Sequence, residues 1–167
     1  MKKKSESKTK AGSRLTHLKD GQLHMVDVGG KDETERVATA AGEITVSAAA
    51  MKTIRTEGLK KGDLITTAKV AGVLAAKKVP GLIPLAHPIR ITGIDVDIKA
   101  VKTGFIVTAT VKTLDRTGVE IEAMTAALVA LLTIYDMAKA IDRTMEIGQV
   151  RLLKKSGGRS GTFVRGV

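Results

Sequence analysis

Cysteine is absent from the whole 167-residue chain, which excludes a disulfide framework, a thiolate zinc site, an iron–sulfur cluster and a cysteine nucleophile, and suits a reducing cytoplasm. Tryptophan is missing too, and only Phe105, Tyr135 and Phe163 carry aromatic rings. A nucleic-acid groove interleaves its cations with stacking platforms, so this scarcity argues against one. Long hydrophobic runs are also lacking. The longest apolar stretch, 126–135, is about half of a membrane span, and the basic opening residues lead into no apolar segment, so neither a spanning helix nor a secretory signal is expected.

What is present is 43% apolar and 27% charged residues, the mix of one soluble globular domain that buries roughly two-thirds of its unfolded surface. The net charge of +11 is unevenly placed. Residues 1–14 hold six basic groups and one acid, residues 151–167 hold five basic groups and none, and the stretch between is nearly neutral. Charge confined to the ends fits a small polyanionic ligand better than nucleic acid. Residues 1–14 read as a basic disordered tail and residues 15–167 as a single domain.

Hydrophobic periodicity supplies the elements. Val37, Ile44 and Val46 mark a strand over 34–47, and Ser47 is placed to cap a short helix ending before Gly58. A broad apolar face predicts a second helix over 63–78, stopped by Pro80. The GLIPLAHP turn at 81–88 should be extended, because each proline disfavours helical geometry in the residue before it. Ile94, Val96 and Ile98, then Phe105, Val107, Ala109 and Val111, alternate as an antiparallel hairpin. The longest helix is expected over 119–141, and a last strand over 148–153. Helices segregated from antiparallel strands give an α+β layered fold. The long helix is apolar on nearly every side and rich in alanine, so it predicts an obligate oligomer packed partly through that helix.

Chemistry has few places to sit. Asp136 and Lys139, at i and i+3, share a helix face and can bond to each other. Taken alone they read as a surface ion pair; following a 13-residue uncharged stretch, they also read as a partly buried pair with perturbed proton affinities. Glu120 and Glu122 near the helix start are either dipole partners or site carboxylates. Glu122 and Asp136 are 14 residues apart, about 21 Å on a continuous helix, so a site using both needs two subunits. His87, held between Ala86 and Pro88, is either structural or a titrating group of fixed direction. The lysines before the second helix and the KKSGGR run at 154–159 combine cations with accessible amides, which suits phosphate. His17, His24 and His87 show no metal-ligand spacing, and no acidic cluster announces a cage, so no metal and no cofactor are expected.

Taken together, HMVDV at 24–28, KGD at 61–63, LIPLAHP at 82–88, TGVEIEAMTA at 117–126, LTIYDMAKA at 132–140 and KSGGRSG at 155–161 resemble the MoaC family of molybdenum cofactor biosynthesis over about 15–162. The chain departs at Ala86 and Ala138, where many relatives carry cysteine, and at Arg159, often lysine. The resemblance implies a ferredoxin-like antiparallel sheet with helices packed on one face. It implies a homo-oligomer, a hexamer built as a trimer of dimers with sites at subunit interfaces, and a cytoplasmic lyase acting on a GTP-derived small molecule. That lyase converts 3′,8-cyclo-7,8-dihydro-GTP into cyclic pyranopterin monophosphate and releases pyrophosphate. By resemblance Asp136 is catalytic with Lys139 its partner; Leu85, Ala86, His87, Ile121 and Glu122 line the substrate site with Glu120 beside them; and Arg36, Lys61 and Lys155 serve the triphosphate. Two rival readings are a basic nucleic-acid-binding protein and a nucleotide sensor without chemistry.

Overall fold

The structure, a computed structural model, describes residues 18–19, 22–56 and 62–166. The expected tail at 1–14, His17 and Lys61 lie outside the described residues. Two very short strands, Leu18–Lys19 (β1) and Gln22–Leu23 (β2), pair with each other, a small ladder that periodicity does not reveal. The main sheet is antiparallel. Its strands are Thr34–Thr45 (β3), Ile91–Val101 (β4), Gly104–Asp115 (β5), Glu146–Ser156 (β6) and the brief Phe163–Val164 (β7), in the order β4-β5-β3-β6-β7. Helices Ala48–Thr56 (α1) and Leu64–Ala76 (α2) lie between β3 and β4, and Glu120–Ala138 (α3) lies between β5 and β6. This is the β-α-β-β-α-β order of a ferredoxin-like arrangement, with two helices in the first crossover.

Alternation decides which face is covered. Ala38, Ala40 and Ile44 of β3 and Val107, Ala109 and Val111 of β5 are buried in one core with the inner residues of all three helices. The opposite face is mixed, with Ile106 and Leu114 exposed beside Thr108 and Lys112; Thr39 and Thr110, paired across β3 and β5, share a hydroxyl hydrogen bond of 3.0 Å. Leu131 and Ile134 of α3 are fully buried, worth about 1.5–3 kcal/mol each by apolar transfer.

Local chemistry fixes the helix starts. Ser47 Oγ accepts from Ala50 N at 3.3 Å to open α1, and Asp63 Oδ1 accepts from Thr66 N at 3.1 Å to open α2. Extension was expected over 81–88, but Gly81 instead ends a 3-10 turn, Val79–Gly81, and the chain keeps turning through 85, with Ile83 N donating to Val79 O at 2.9 Å. Pro80 sits in the first turn of that short helix, where its missing N–H has no partner to lose. Pro84 then sits inside a second turn, closed by Ala86 N donating to Ile83 O at 3.1 Å.

The alanines of α3 do admit a close neighbour helix, and that neighbour is α2 of the same chain. A Cβ on Gly72 would lie 2.9 Å from Ala126 O and 3.4 Å from Ala130 Cβ, so only glycine permits this approach. The outer side of α3 stays uncovered within the chain, with Ile121 43%, Leu128 45% and Leu132 54% exposed. By length and apolarity α3 reaches the threshold of a membrane span, which the count of apolar residues alone did not suggest. Half of that window is buried against the sheet and α2, as in the core helix of a soluble domain.

Candidate functional site

The first turn of α3, the turn at 83–90, the segment at 26–36 and the glycine-rich loop after β6 converge at one end of the sheet. Between them lies a cleft of about 610 Å³. Its walls are largely apolar, with Val26, Val28, Ile83, Leu85, Ala86, Ile89 and Ile121, and its polar side chains are few: His87, Thr117, Glu120, Glu122 and Lys31. That balance is typical of a small-molecule site. The wall at 26–28 is set by a local turn in which Asp27 Oδ1 accepts from Gly29 N at 2.7 Å. His87 Nε2 lies 2.8 Å from Val26 O. A carbonyl only accepts, so Nε2 carries a proton and donates it to Val26 O.

Glu122 is 2% exposed. Burial pushes its carboxyl from 4.5 up to about 7; a bond from its own backbone amide opposes the shift and the nearby charge of Glu120 adds to it. At neutral pH it is therefore available as both acid and base. Glu120 faces the cations instead, with Lys155 Nζ 3.5 Å from Glu120 Oε1 and also bonded to Ser160 Oγ.

Beyond Glu120 lie a 180 Å³ space at Arg36 and Lys155 and a 490 Å³ pocket lined by Lys31, Arg36 and Arg159, with one carboxylate, Asp32. The three spaces adjoin along one trough: Glu120 stands in the wall between the first two, Arg36 between the last two, and Lys31 between the first and last. Arg36 is fixed from both sides. Its Nε donates to Asp115 O at 3.0 Å, and the loop Gly157-Gly158 lies over its guanidinium. These glycines have φ of +93° and +70°; a Cβ would fall 2.2 Å from Glu35 O on the first and 2.3 Å from Arg36 Nη1 on the second. Burial raises the Asp115 carboxyl, but N–H bonds from Arg116 and Arg90 and their charges outweigh it and hold it below its usual range. The trough thus offers a proton-exchanging end and a cationic end, the profile of a nucleotide polyphosphate or its derivative.

Asp136 and Lys139 are not brought to this trough within the chain. They pair at 2.7 Å on the last turn of α3, each side chain more than half exposed, so the burial expected of them is not supplied by this chain. The hydrogen bond to Asp136, and then its charge, raise the Lys139 ammonium above its ordinary value. The turn after them is pinned: the Asp142 carboxylate accepts from Ser47 N at 2.9 Å and from Thr144 N at 2.8 Å, bonds that hold it far below the usual carboxylate range. Among the described residues no group of three or more His, Asp or Glu side chains could hold a metal ion.

Leu85, Ala86, His87, Glu120, Ile121, Glu122, Arg36 and Lys155 all border the trough. Sequence reasoning missed Lys31 and Thr34, whose only signal is position: Thr34 pairs with Asp115, which brings the preceding loop against the arginines.

Comparison with known proteins agrees with this geometry. Residues 25–158 match the MoaC family. The chain is 52% identical over 155 residues to the cyclic pyranopterin monophosphate synthase of Roseiflexus sp. (strain RS-1), covering 91% of this chain and 98% of that protein. It is 53% identical over 154 residues to the protein of that name from Magnetococcus marinus (90% and 94% covered). With the Streptomyces griseus protein of that name, identity is 48% over 154 residues (92% and 87%).

Proposed function

The chain belongs to the MoaC family, and from that membership and the trough we propose that it is a soluble, cytoplasmic lyase of molybdenum cofactor biosynthesis. Its substrate is 3′,8-cyclo-7,8-dihydro-GTP and its products are cyclic pyranopterin monophosphate and pyrophosphate. The observation that carries the reading is the set of adjoining spaces with a buried, near-neutral Glu122 at one end and the Lys31, Arg36 and Arg159 pocket at the other. Among the described residues no Phe, Tyr or Trp side chain lines it, which favours one small polyanion over a stacked nucleic-acid strand.

The guanine-derived ring occupies the apolar end beside Glu122, with Leu85, Ala86 and Ile121 as walls. Arg36, Lys155 and Lys61 take the triphosphate, and His87 stands between. Rebuilding the ring needs protons removed and supplied at several atoms, work for Asp136 and Lys139 as acid/base partners. Closing the cyclic phosphate needs a sugar hydroxyl to attack the α-phosphorus while the bond to the leaving pyrophosphate breaks, helped by alignment and by cations that accept developing charge.

A site that uses both Glu122 and Asp136 is composite, because α3 sets them about 21 Å apart. Residues 15–167 act as one catalytic unit, and the Asp136–Lys139 pair of one protomer reaches the trough of its neighbour in a homo-oligomer, a hexamer assembled as a trimer of dimers. The uncovered Ile121, Leu128 and Leu132 on α3, with Val70 and Leu74 of α2 52% and 55% exposed, supply apolar surface for that assembly. The test is incubation of purified protein with the cyclised dihydro-GTP, following pyrophosphate and pterin together. Stoichiometric release of both supports the reading, and tight binding without either product contradicts it.

A further inference from the structure

Glu122 borders two cavities rather than one. In front is the 610 Å³ cleft; behind it lies a second pocket of about 250 Å³, where the end of α2 and the turn after it meet the start of β4. The rear pocket is lined by Ala76, Lys77, Pro80, Ile89 and Ile91 together with Glu122. Lys77 and Pro80 are exposed and form its rim, while Glu122 at its base is 2% exposed. A water molecule takes about 30 Å³ of liquid, so the pocket has room for several.

A substrate ring seated in the front cleft shuts Glu122 off from solvent on that side. A carboxyl that has given up its proton there cannot act again unless it is recharged by another path. Resting on the function proposed above, we infer that the rear pocket is the proton-exchange route of Glu122: the carboxyl gives a proton to a basic atom of the ring in front, and the carboxylate regains one from water behind, resupplied from bulk solvent past Lys77 and Pro80. The reverse order serves proton removal. An affinity near neutrality lets the group run in both directions with little driving force lost. The ionisable groups around it are Glu120, His87 and Lys31 on the cleft side and Lys77 at the rear rim, so protons reach it from the rear past a single cation.

The absence of cysteine makes this testable in one folded protein. Lys77→Cys places a single thiol at the rim, which a bulky methanethiosulfonate reagent then plugs and a reductant reopens. With the cyclised dihydro-GTP as substrate, plugging should lower kcat about tenfold, leave KM unchanged and raise the solvent deuterium effect on kcat, all reversed by reductant. A plugged protein with unaltered kcat and isotope effect overturns the route. Ile91→Phe narrows the same pocket from inside and should give the same signature; full kcat with an ordinary isotope effect in that folded variant also overturns it. Failure of the unsubstituted protein to release pyrophosphate and pterin speaks against the lyase reading itself, which keeps the two failures distinct.

Discussion

Glu122 and Asp136 stand on the first and last turns of one unbroken helix, about 21 Å apart at 1.5 Å per residue, so no single small molecule reaches both within one chain. Glu122 is sealed in the core side of the cleft, whereas Asp136 with Lys139 projects from the far end into solvent. The helix therefore carries these two groups at opposite ends, and its exposed outer stripe lies between them.

Because Asp136 is exposed and bonds to Lys139 on the surface, Asp136→Asn should leave the fold intact. Circular dichroism and thermal melting should match the parent, while formation of the pterin product falls at least about 100-fold, the range of a lost acid/base group. Near-normal turnover would show that the pair is only a surface ion pair.

Gly158 is held at φ +70° directly over the Arg36 guanidinium. Gly158→Ala should cost about 1–3 kcal/mol in backbone strain and displace the arginine. Titration calorimetry with pyrophosphate should show binding weakened about tenfold or more, the loss expected of a displaced charge-assisted contact. Unchanged affinity would remove Arg36 from the anion pocket.

Glu122 makes stability depend on pH. Its folded pKa of about 7 lies above the ordinary 4.5, so the folded state holds its proton more tightly than the unfolded state does. This contribution is fully present below pH 4.5 and is lost as pH rises through 7, by up to about 3 kcal/mol. Denaturant melts at several pH values should show that decline, and Glu122→Gln should flatten it.

Much of this was legible beforehand because it is periodic. The alternation of Ile94, Val96 and Ile98 against Phe105, Val107 and Ala109 found the hairpin, and Ser47 and Asp63 announced the starts of α1 and α2. The turn at 79–81 was not legible, since a proline that ends one helix can also open the next short one. The alanines of α3 pointed to a close neighbour, but composition alone does not distinguish another subunit from α2, and Gly72 decides it. At the site, His87, Glu122 and Lys155 stood out by motif. Lys31 did not, because its place in the trough comes from long-range pairing of β3 with β5. The half-exposed state of Asp136 and Lys139 matches their reading as a surface ion pair; the uncharged stretch before them suggested burial, but it says nothing of which side of the helix faces the sheet.

The composite site is tested most directly by mixing two inactive proteins. Glu122→Gln subunits supply an intact Asp136–Lys139 pair, and Asp136→Asn subunits supply an intact trough. After subunit exchange verified by mass, the mixture should regain pyrophosphate release that neither parent shows. A mixture that exchanges subunits fully and stays inactive contradicts a site shared between protomers.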